Sequence, residues 1–172
     1  MIDIEQLSAT QAQPLLAALC DVLQACVADG GSIGFVDAQD RGAIERFWQD
    51  KIFSLASGDN QLLVAYQQGV IVATVMVGLS AMPNGRHRAE ISKLLVHPQA
   101  RRQGIARRLM QQAEQLAAAQ GKTLLVLDTR SGDVATDLYL SLEWQIAGSI
   151  PLYAESVEGV LDATTIMYKV LG

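Results

Sequence analysis

The sequence has few of the residues that form metal sites or disulfide frameworks. Its 172 residues include two cysteines and two histidines. Cys20 and Cys26 fall in one helical pattern, which places their Cα atoms ~9 Å apart along the axis, farther than a disulfide reaches. We therefore expect both to be buried helix residues. His87 and His97 lie in or beside turns and form no ligand cluster, so we predict no metal.

The sequence also lacks a positive net charge and a long uncharged apolar run. Its formal net charge of −5 argues against the basic surface of a nucleic-acid-binding protein. No apolar run approaches the ~18 uncharged residues of a membrane helix, and residues 1–5 are acidic rather than signal-like. These features predict one soluble, cytoplasmic domain over residues 1–172, with no nucleic-acid or membrane partner, and leave a homodimer open.

The positive charge that is present is concentrated in one segment. Seven of the 13 lysines and arginines lie between Arg86 and Arg108. This distribution suits an anionic cofactor together with a cationic or zwitterionic substrate. On charge alone, an acidity that merely maintains solubility is the simpler interpretation.

The segment Arg101–Ala106, Arg-Arg-Gln-Gly-Ile-Ala, follows a strand-like run at 91–96 and precedes a helix-like run that begins near Gln103. A helix that starts here leaves backbone N–H groups unpaired in its first turn. Gly104 permits close approach to the backbone, and the helix dipole adds partial positive charge. The pattern predicts an anion site. Its alternative is a solvated basic turn in which Gly104 only allows close packing.

The apolar periodicity predicts an α/β (α+β) fold. Strands are expected at 2–7, 61–66, 70–81, 88–96, 123–128, 144–153 and 164–170, and helices at 11–28, 38–56, 103–120 and 133–142. A helix joins the strands at 88–96 and 123–128, so these two are expected to pair in parallel, and the other pairs antiparallel. Within 88–96, strict alternation would place Glu90, Ser92, Leu94 and Val96 on one face.

The pattern Arg-x-x-Gly-x-Ala at Arg101–Ala106 resembles the pyrophosphate loop of the GCN5-related N-acetyltransferases. Ala135-x-x-Leu138-Tyr139 resembles the second signature of that family, and the order of elements matches over nearly the whole chain. The resemblance implies a central mixed, mostly antiparallel sheet, splayed at a parallel pair where acetyl-CoA binds, with helices on both faces. Glu143 departs from the family, which often has glycine there, and puts the exit of the tyrosine helix in doubt.

Loop and strand-end segments resemble the tabtoxin-resistance type of small-molecule acetyltransferase most closely. These segments are Gly30-Gly31-Ser32, Gly34-Phe35, Pro83-Asn84-Gly85, Arg88-Ala89-Glu90, Lys93-Leu94, Leu127-Asp128-Thr129 and Pro151. The resemblance implies acetyl-CoA as co-substrate. The residues expected to bind it are Leu94, Leu95, Val96, Arg101, Arg102, Gln103, Gly104, Ile105, Ala106 and Arg107.

The resemblance also implies the catalytic and acceptor-binding residues. Tyr139 is expected to be the general acid, with a pKa near the ordinary ~10 of a phenol. Glu90 and Asp128 are expected to border the cleft, where either one is the proton acceptor, and Phe35 and Tyr153 to line the acceptor pocket with them. The alternatives are a half-buried aromatic for Tyr139, a salt bridge from Glu90 to Arg88 or Lys93, and a turn cap for Asp128.

These expectations together predict an N-acetyltransferase that transfers the acetyl group of acetyl-CoA directly to the amine of a small molecule, such as a toxin, an antibiotic or an amino-acid-like compound. Two alternatives remain. An enzyme of the same fold that acetylates a peptide or protein would need an open groove. A sensor that only binds acyl-CoA would not need Tyr139, Glu90 or Asp128.

Overall fold

The computed structural model describes all 172 residues and forms one seven-stranded sheet with helices on both faces. The strands are β1 (Ile2–Leu7), β2 (Asn60–Gln67), β3 (Val70–Leu79), β4 (Arg88–Val96), β5 (Leu124–Arg130), β6 (Gln145–Glu155) and β7 (Leu161–Val170). The helices are α1 (Ala9–Ala12), α2 (Leu16–Ala28), α3 (Arg41–Leu55), α4 (Ile105–Ala119) and α5 (Val134–Ser141).

The strand order in the sheet is β1-β2-β3-β4-β5-β7-β6. Every neighbouring pair is antiparallel except β4 and β5, which pair in parallel. Helix α4 connects these two strands, and a crossover of this length is what parallel strands require. The predicted fold class is confirmed, including the parallel pair.

The N-terminal helical segment is broken, where the sequence predicted one helix over 11–28. Ser8 caps α1 in a reciprocal capping box with Gln11, so the helix starts at Ala9. A 3-10 turn over Gln13–Leu15 then separates α1 from α2. Pro14 accounts for the break, because it has no N–H to donate and its ring crowds the preceding turn.

By length and composition, the helical run Ala9–Ala28 resembles a membrane-spanning helix, with a mean hydropathy of 1.2. Its apolar side chains have a packing role here. Leu19, Leu23 and Cys26 are buried against the sheet and α3. A buried core helix of this kind passes the same compositional test as a membrane span. Cys20 and Cys26 are buried and free, as the sequence predicted.

The sheet separates two apolar clusters. One, which we call the α4 cluster, joins the sheet to α4 and includes Leu109, Met110 and Ile91. The other, the α2–α3 cluster, includes Leu23 and Trp48. Because both faces of the sheet are covered, its central strands are apolar on both sides.

A β-bulge in β4 breaks the predicted alternation. Thr74 on β3 lies opposite Leu95 and Met76 lies opposite Ser92, so two residues of β4 face one of β3. Lys93 adopts a left-handed φ of 52° at the bulge. The prediction that Glu90, Ser92, Leu94 and Val96 share one face is therefore wrong. Leu94 and Val96 pack against the α4 cluster, on the side to which Ala89 and Ile91 point before the bulge.

The bulge also ends the contact between the two parallel strands. β4 and β5 pair only over Arg88–Glu90 and Leu124–Val126. Beyond these residues the strands separate, and the C-terminal half of each borders a gap in the sheet. The gap lies at the carboxyl ends of parallel strands, where ligands of α/β proteins commonly bind.

Candidate active site

A cleft of about 690 Å³ occupies the gap between β4 and β5. It extends from the loop after α2 to the first turn of α4 and the N-terminal part of α5. Residues from every one of these elements line it, and they include Gly31, Lys93, Val96, Gly104, Asp128 and Tyr139. Its volume is typical of a small-molecule or cofactor site.

The turn that precedes α4 offers a row of unpaired donors. None of the backbone N–H groups of residues 101–107 donates a hydrogen bond within the protein. Arg102 and Gly104 have φ values of 63° and 74°, and alternation of left-handed and ordinary residues gathers N–H groups into an anion-binding concavity. Helices α1, α3 and α5 are capped by Ser8, Asp40 and Asp133, whereas α4 has no side-chain cap. The first turn of α4 therefore remains open to an anionic ligand.

The residues predicted around this turn do not all face the cleft. Arg102, Gly104, Ile105, Ala106 and Arg107 line it. Gln103 does not, and its side-chain oxygen instead accepts a hydrogen bond of 2.8 Å from Gln67 on β2.

Two of the arginines already have partners in the protein. Arg101 forms an ion pair with Asp29 and donates through Nε to the Val96 carbonyl at 3.2 Å. Arg107 donates to the Ser141 hydroxyl at 2.7 Å, which joins α4 to the end of α5. Both side chains keep further guanidinium N–H groups, since arginine has five donors.

The backbone of β4 presents one N–H group to the gap. The Val96 carbonyl accepts from Cys26 Sγ and from Arg101, and the next N–H group, of His97, bonds to Val72 on β3. Because successive N–H groups of a strand point to opposite edges, the Val96 N–H is directed away from β3, toward β5. By the same alternation, the Leu95 N–H is directed toward β3. Of the Leu95 and Val96 N–H groups, only that of Val96 is therefore placed to meet a ligand.

Tyr139 lies at the inner wall of the cleft with 7% of its surface exposed. Its ring packs against Trp144 at a centroid distance of 6.1 Å. Burial raises the pKa of the phenol well above its usual range, and the nearby carboxylates of Asp133 and Asp128 raise it further. The expectation of an ordinary pKa near 10 is therefore wrong, because that value is the one for a phenol in water. The phenol is protonated at every physiological pH.

The two predicted carboxylates occupy different positions. Asp128 lines the cleft and accepts a hydrogen bond of 2.8 Å from the Thr164 hydroxyl on β7. Glu90 is exposed, lies outside the cleft lining and forms no ion pair with Arg88 or Lys93. The cap of α5 is Asp133 and not Asp128. Of the two predicted carboxylates, Asp128 is thus the one that lines the cleft.

The two predicted aromatic residues, Tyr153 and Phe35, also occupy different positions relative to the cleft. Tyr153, which is 54% exposed, lines the cleft from β6. Phe35 packs edge-on against Phe47 at 5.6 Å and belongs to the periphery of the α2–α3 cluster. It lies outside the cleft lining.

The model of the acetyltransferase (GNAT) family matches residues 21–143, a stretch that contains the bulged strand, the open turn of α4 and Tyr139. The chain belongs to this family. A curated relative, an uncharacterised N-acetyltransferase from Azospirillum brasilense encoded in the hisH-hisA intergenic region, is 34% identical over 114 residues. That alignment covers 65% of this chain and 66% of the relative, just under two thirds of each.

Solved acetyltransferases share the fold over essentially the whole chain. A putative acetyltransferase from Salmonella typhimurium, solved with its cofactor acetyl-CoA, is 20% identical with a TM-score of 0.78, covering 100% of this chain and 95% of that chain. A ribosomal-protein-alanine N-acetyltransferase from Brucella melitensis is 20% identical with a TM-score of 0.79, covering 98% and 99%. At these identities the likeness establishes the GNAT fold alone.

Sequence reasoning missed how this GNAT protein holds the loop after α2 over the cleft. The Arg101–Asp29 ion pair ties one end of the loop to the turn before α4. Arg130 at the end of β5 donates to the Gly30 carbonyl at 3.1 Å and pairs with Asp133. The two contacts with the loop span 72 and 100 positions of the sequence, and no local pattern links their partners.

The position of Lys93 was also not predicted from the sequence. It lies at the bulge, lines the cleft and is half-buried. Burial lowers the pKa of its ammonium, and the positive charge of Lys51 lowers it further, while Asp128 and Glu90 act in the opposite direction. The available signal was a lysine among the apolar residues of a central strand, between Ile91 and Leu94, where a charge needs a reason to be present.

Proposed function

We propose that this protein is an acetyl-CoA-dependent N-acetyltransferase that acts on the amine of a small molecule, with direct transfer in a ternary complex. One observation carries the proposal. The open turn of α4, whose backbone N–H groups bind no group of the protein, leads into the same cleft as Tyr139 and Asp128. A site for an anionic carrier therefore adjoins a site that holds a proton donor and a carboxylate.

The residues of the turn fit the diphosphate of acetyl-CoA. The unpaired N–H groups of residues 101–107 supply several donors from one side. Arg102 and Arg107 add positive charge, and a Cβ at Gly104 would meet no protein atom within 4 Å, so the space above the turn is free. Charge-assisted bonds of this kind are among the strongest in proteins.

Acetyl-CoA supplies an acetyl group activated as a thioester. The Val96 N–H is placed to donate a hydrogen bond to a carbonyl oxygen in the gap, which stabilises negative charge that develops there. Asp128 is placed to attract a cationic amine and to accept a proton from it, since only a free amine attacks a thioester. Glu90 adds negative charge from the rim of the cleft.

Tyr139 is the proposed general acid. Its raised pKa keeps the phenol protonated. The burial that raises this pKa also acts on the leaving thiolate, whose thiol has a pKa of ~8.5 in water, so that the thiolate becomes a stronger base in the cleft. The Tyr139 hydroxyl donates no hydrogen bond to another protein group, so its proton is available to a leaving group in the cleft.

The loop after α2 supports a small acceptor in preference to a peptide. The partners of Asp29 and Gly30 hold this loop across one side of the cleft, whereas a peptide would need an open groove. We place the protein nearest to the tabtoxin-resistance type on its loop segments. The peptide alternative is kept because the Brucella melitensis neighbour is a ribosomal-protein-alanine N-acetyltransferase.

The proposal is tested by thiol release from acetyl-CoA in the presence of a library of small amines and of short peptides with free N-termini. We expect small amines to be acetylated more efficiently than peptides. Preference for peptides would support the protein acetyltransferase. Binding of acetyl-CoA in calorimetry without transfer to any amine would support the sensor.

The carboxylates provide a second test at saturating acetyl-CoA. Asp128→Asn should impair the use of amines and leave acetyl-CoA binding intact, and Glu90→Gln should have a smaller effect of the same kind. Loss of the acidic limb of the pH profile identifies a base, whereas a higher acceptor KM with the limb retained identifies attraction only. Asp3→Asn, on the far edge strand β1, is the matched control. Wild-type behaviour of both cleft variants would refute these roles.

A further inference from the structure

Lys93 carries a positive charge that contacts an aromatic ring but has no anionic or hydrogen-bonding partner in the protein. Its Nζ lies 5.1 Å from the centre of the Phe47 ring, and the Cβ position at Gly34 is 3.9 Å from the same atom. It forms no ion pair and donates no hydrogen bond. By contrast, the ammonium groups of Lys122 and Lys169 both donate to protein oxygen atoms. A half-buried ammonium without such a partner is available to a ligand.

The bulge in β4 is what directs this side chain into the acceptor region. In a regular strand, position 93 would follow Ala89 and Ile91 onto the face covered by α4. Instead, Lys93 adopts a left-handed φ of 52°, which is unfavourable for a residue with a Cβ atom. The Thr74 hydroxyl donates to the Lys93 carbonyl at 2.8 Å and so stabilises this conformation.

Opposite charges occupy separate parts of the cleft region. Lys51 Nζ lies 5.7 Å from the Phe47 ring, so two ammonium groups adjoin one aromatic side chain. Asp128 is hydrogen-bonded to Thr164 and lies beyond 4.0 Å from Lys93. It remains close enough to raise the pKa of that lysine. Both residues line the same cleft, so one ligand bound there can contact both charges.

We propose that Lys93 determines acceptor specificity by binding a carboxylate of the acceptor, whose amine then faces Asp128. The preferred acceptors are therefore zwitterions that carry an acid group near the reactive amine. This inference rests on the proposed function, because it takes Asp128 as the site of the amine. The acceptor carboxylate and its contact with Lys93 go beyond that function.

The expected preference follows from the strength of one charge-assisted contact. Such a contact, partly shielded from water, corresponds to roughly a 10- to 100-fold difference in kcat/KM. The effect should lie mainly in the acceptor KM, since the acid group takes no part in bond making or breaking. Lys93→Arg keeps the charge and should retain part of the preference.

The test uses the L-amino acids, their C-terminal amides and the corresponding decarboxylated amines as acceptors at saturating acetyl-CoA. Wild type should use the acids roughly 10- to 100-fold better than the matched amides. Lys93→Met should abolish this difference by raising the KM of the acids, with little change for the amides. Lys122→Met, which removes an ammonium outside the cleft, should behave as wild type. Thermal melting of each variant confirms that it is folded, and Lys93→Gln replaces Lys93→Met if the latter is not.

Three results would overturn the inference and leave the proposed function standing. Wild type uses amides or decarboxylated amines as well as the acids. Lys93→Met impairs acids and amides equally, which indicates a structural role. Lys93→Met abolishes one limb of the pH profile for every amine, which indicates that Lys93 exchanges protons with the substrate. Failure to acetylate any amine would instead overturn the proposed function itself.

Discussion

Replacement of Gly104 by alanine tests the assignment of the turn before α4 most directly, because the same helix offers a matched control. Gly104 and Gly121 flank α4 with φ values of 74° and 80°. A Cβ added at either position would meet no protein atom within 4 Å. The two substitutions therefore impose the same kind of strain, but only Gly104 lines the cleft.

The loss of stability should be similar for the two variants. An L-residue in the left-handed region costs about 1–2 kcal/mol, and the reduced freedom of the unfolded chain offsets about 0.4–1 kcal/mol of this. The net loss is about 1 kcal/mol, equivalent to a fall in Tm of roughly 2–4 °C for a chain of this size. Urea unfolding without ligand measures it.

The loss of affinity should differ between the two. In Gly104→Ala, the added methyl group would occupy the open space above the turn, and relief of the left-handed strain would turn the N–H groups at the start of α4 away from their common direction. Loss of one hydrogen bond to a charged group costs about 1.5–3 kcal/mol, which weakens the binding of CoA roughly 10- to 100-fold. Calorimetry should show this for Gly104→Ala, while Gly121→Ala binds as wild type. Equal affinities in the two folded variants would show that the diphosphate binds elsewhere.

Two further predictions concern Tyr139 and the buried ion pair near it. Tyr139→Phe should lower kcat on the order of 10²-fold with little change in CoA affinity. Because burial raises the phenol pKa, the wild type should also lose stability more steeply than this variant above about pH 10. Parallel curves of unfolding free energy against pH for the two proteins would contradict this effect of burial. Lys169→Met should destabilise the fold by about 3 kcal/mol, because it leaves the Glu114 carboxylate and the Leu142 carbonyl without their donor in a largely buried site. The control is Glu45→Gln, which removes an ion pair at the surface of α3 and should cost at most about 1 kcal/mol. Equal losses of unfolding free energy for Glu45→Gln and Lys169→Met in urea would refute this reasoning.

Much of the fold could be predicted from local patterns in the sequence. The alternation and turn residues located all seven strands, and the helix between β4 and β5 predicted their parallel pairing. Gly121, directly after the helix predicted at 103–120, has the left-handed φ of a helix C-terminal glycine. The break at Pro14 also had a local signal, which the apolar stripe around it outweighed.

The features that could not be predicted depend on contacts distant in sequence. The bulge at Lys93 is a property of the pairing between β3 and β4 and of the hydrogen bond from Thr74. The burial of Tyr139 depends on Trp144 and on the closed wall of the cleft. Composition and periodicity carry no information on the bulge or on the burial of Tyr139. The face of β4 on which Leu94 lies and the pKa of the phenol were therefore predicted wrongly.

The extra residue in β4 also has a consequence for the stability of the protein. Deletion of Lys93 or Leu94 would restore a regular ladder between β3 and β4, and the realigned strand could extend its hydrogen bonds to β5. Such a variant would close the gap in the sheet and gain backbone pairing, but it would lose the opening in which ligands bind. If the proposed function holds, incomplete pairing of the central strands is needed for activity, and we expect the variant with the most regular sheet to be inactive.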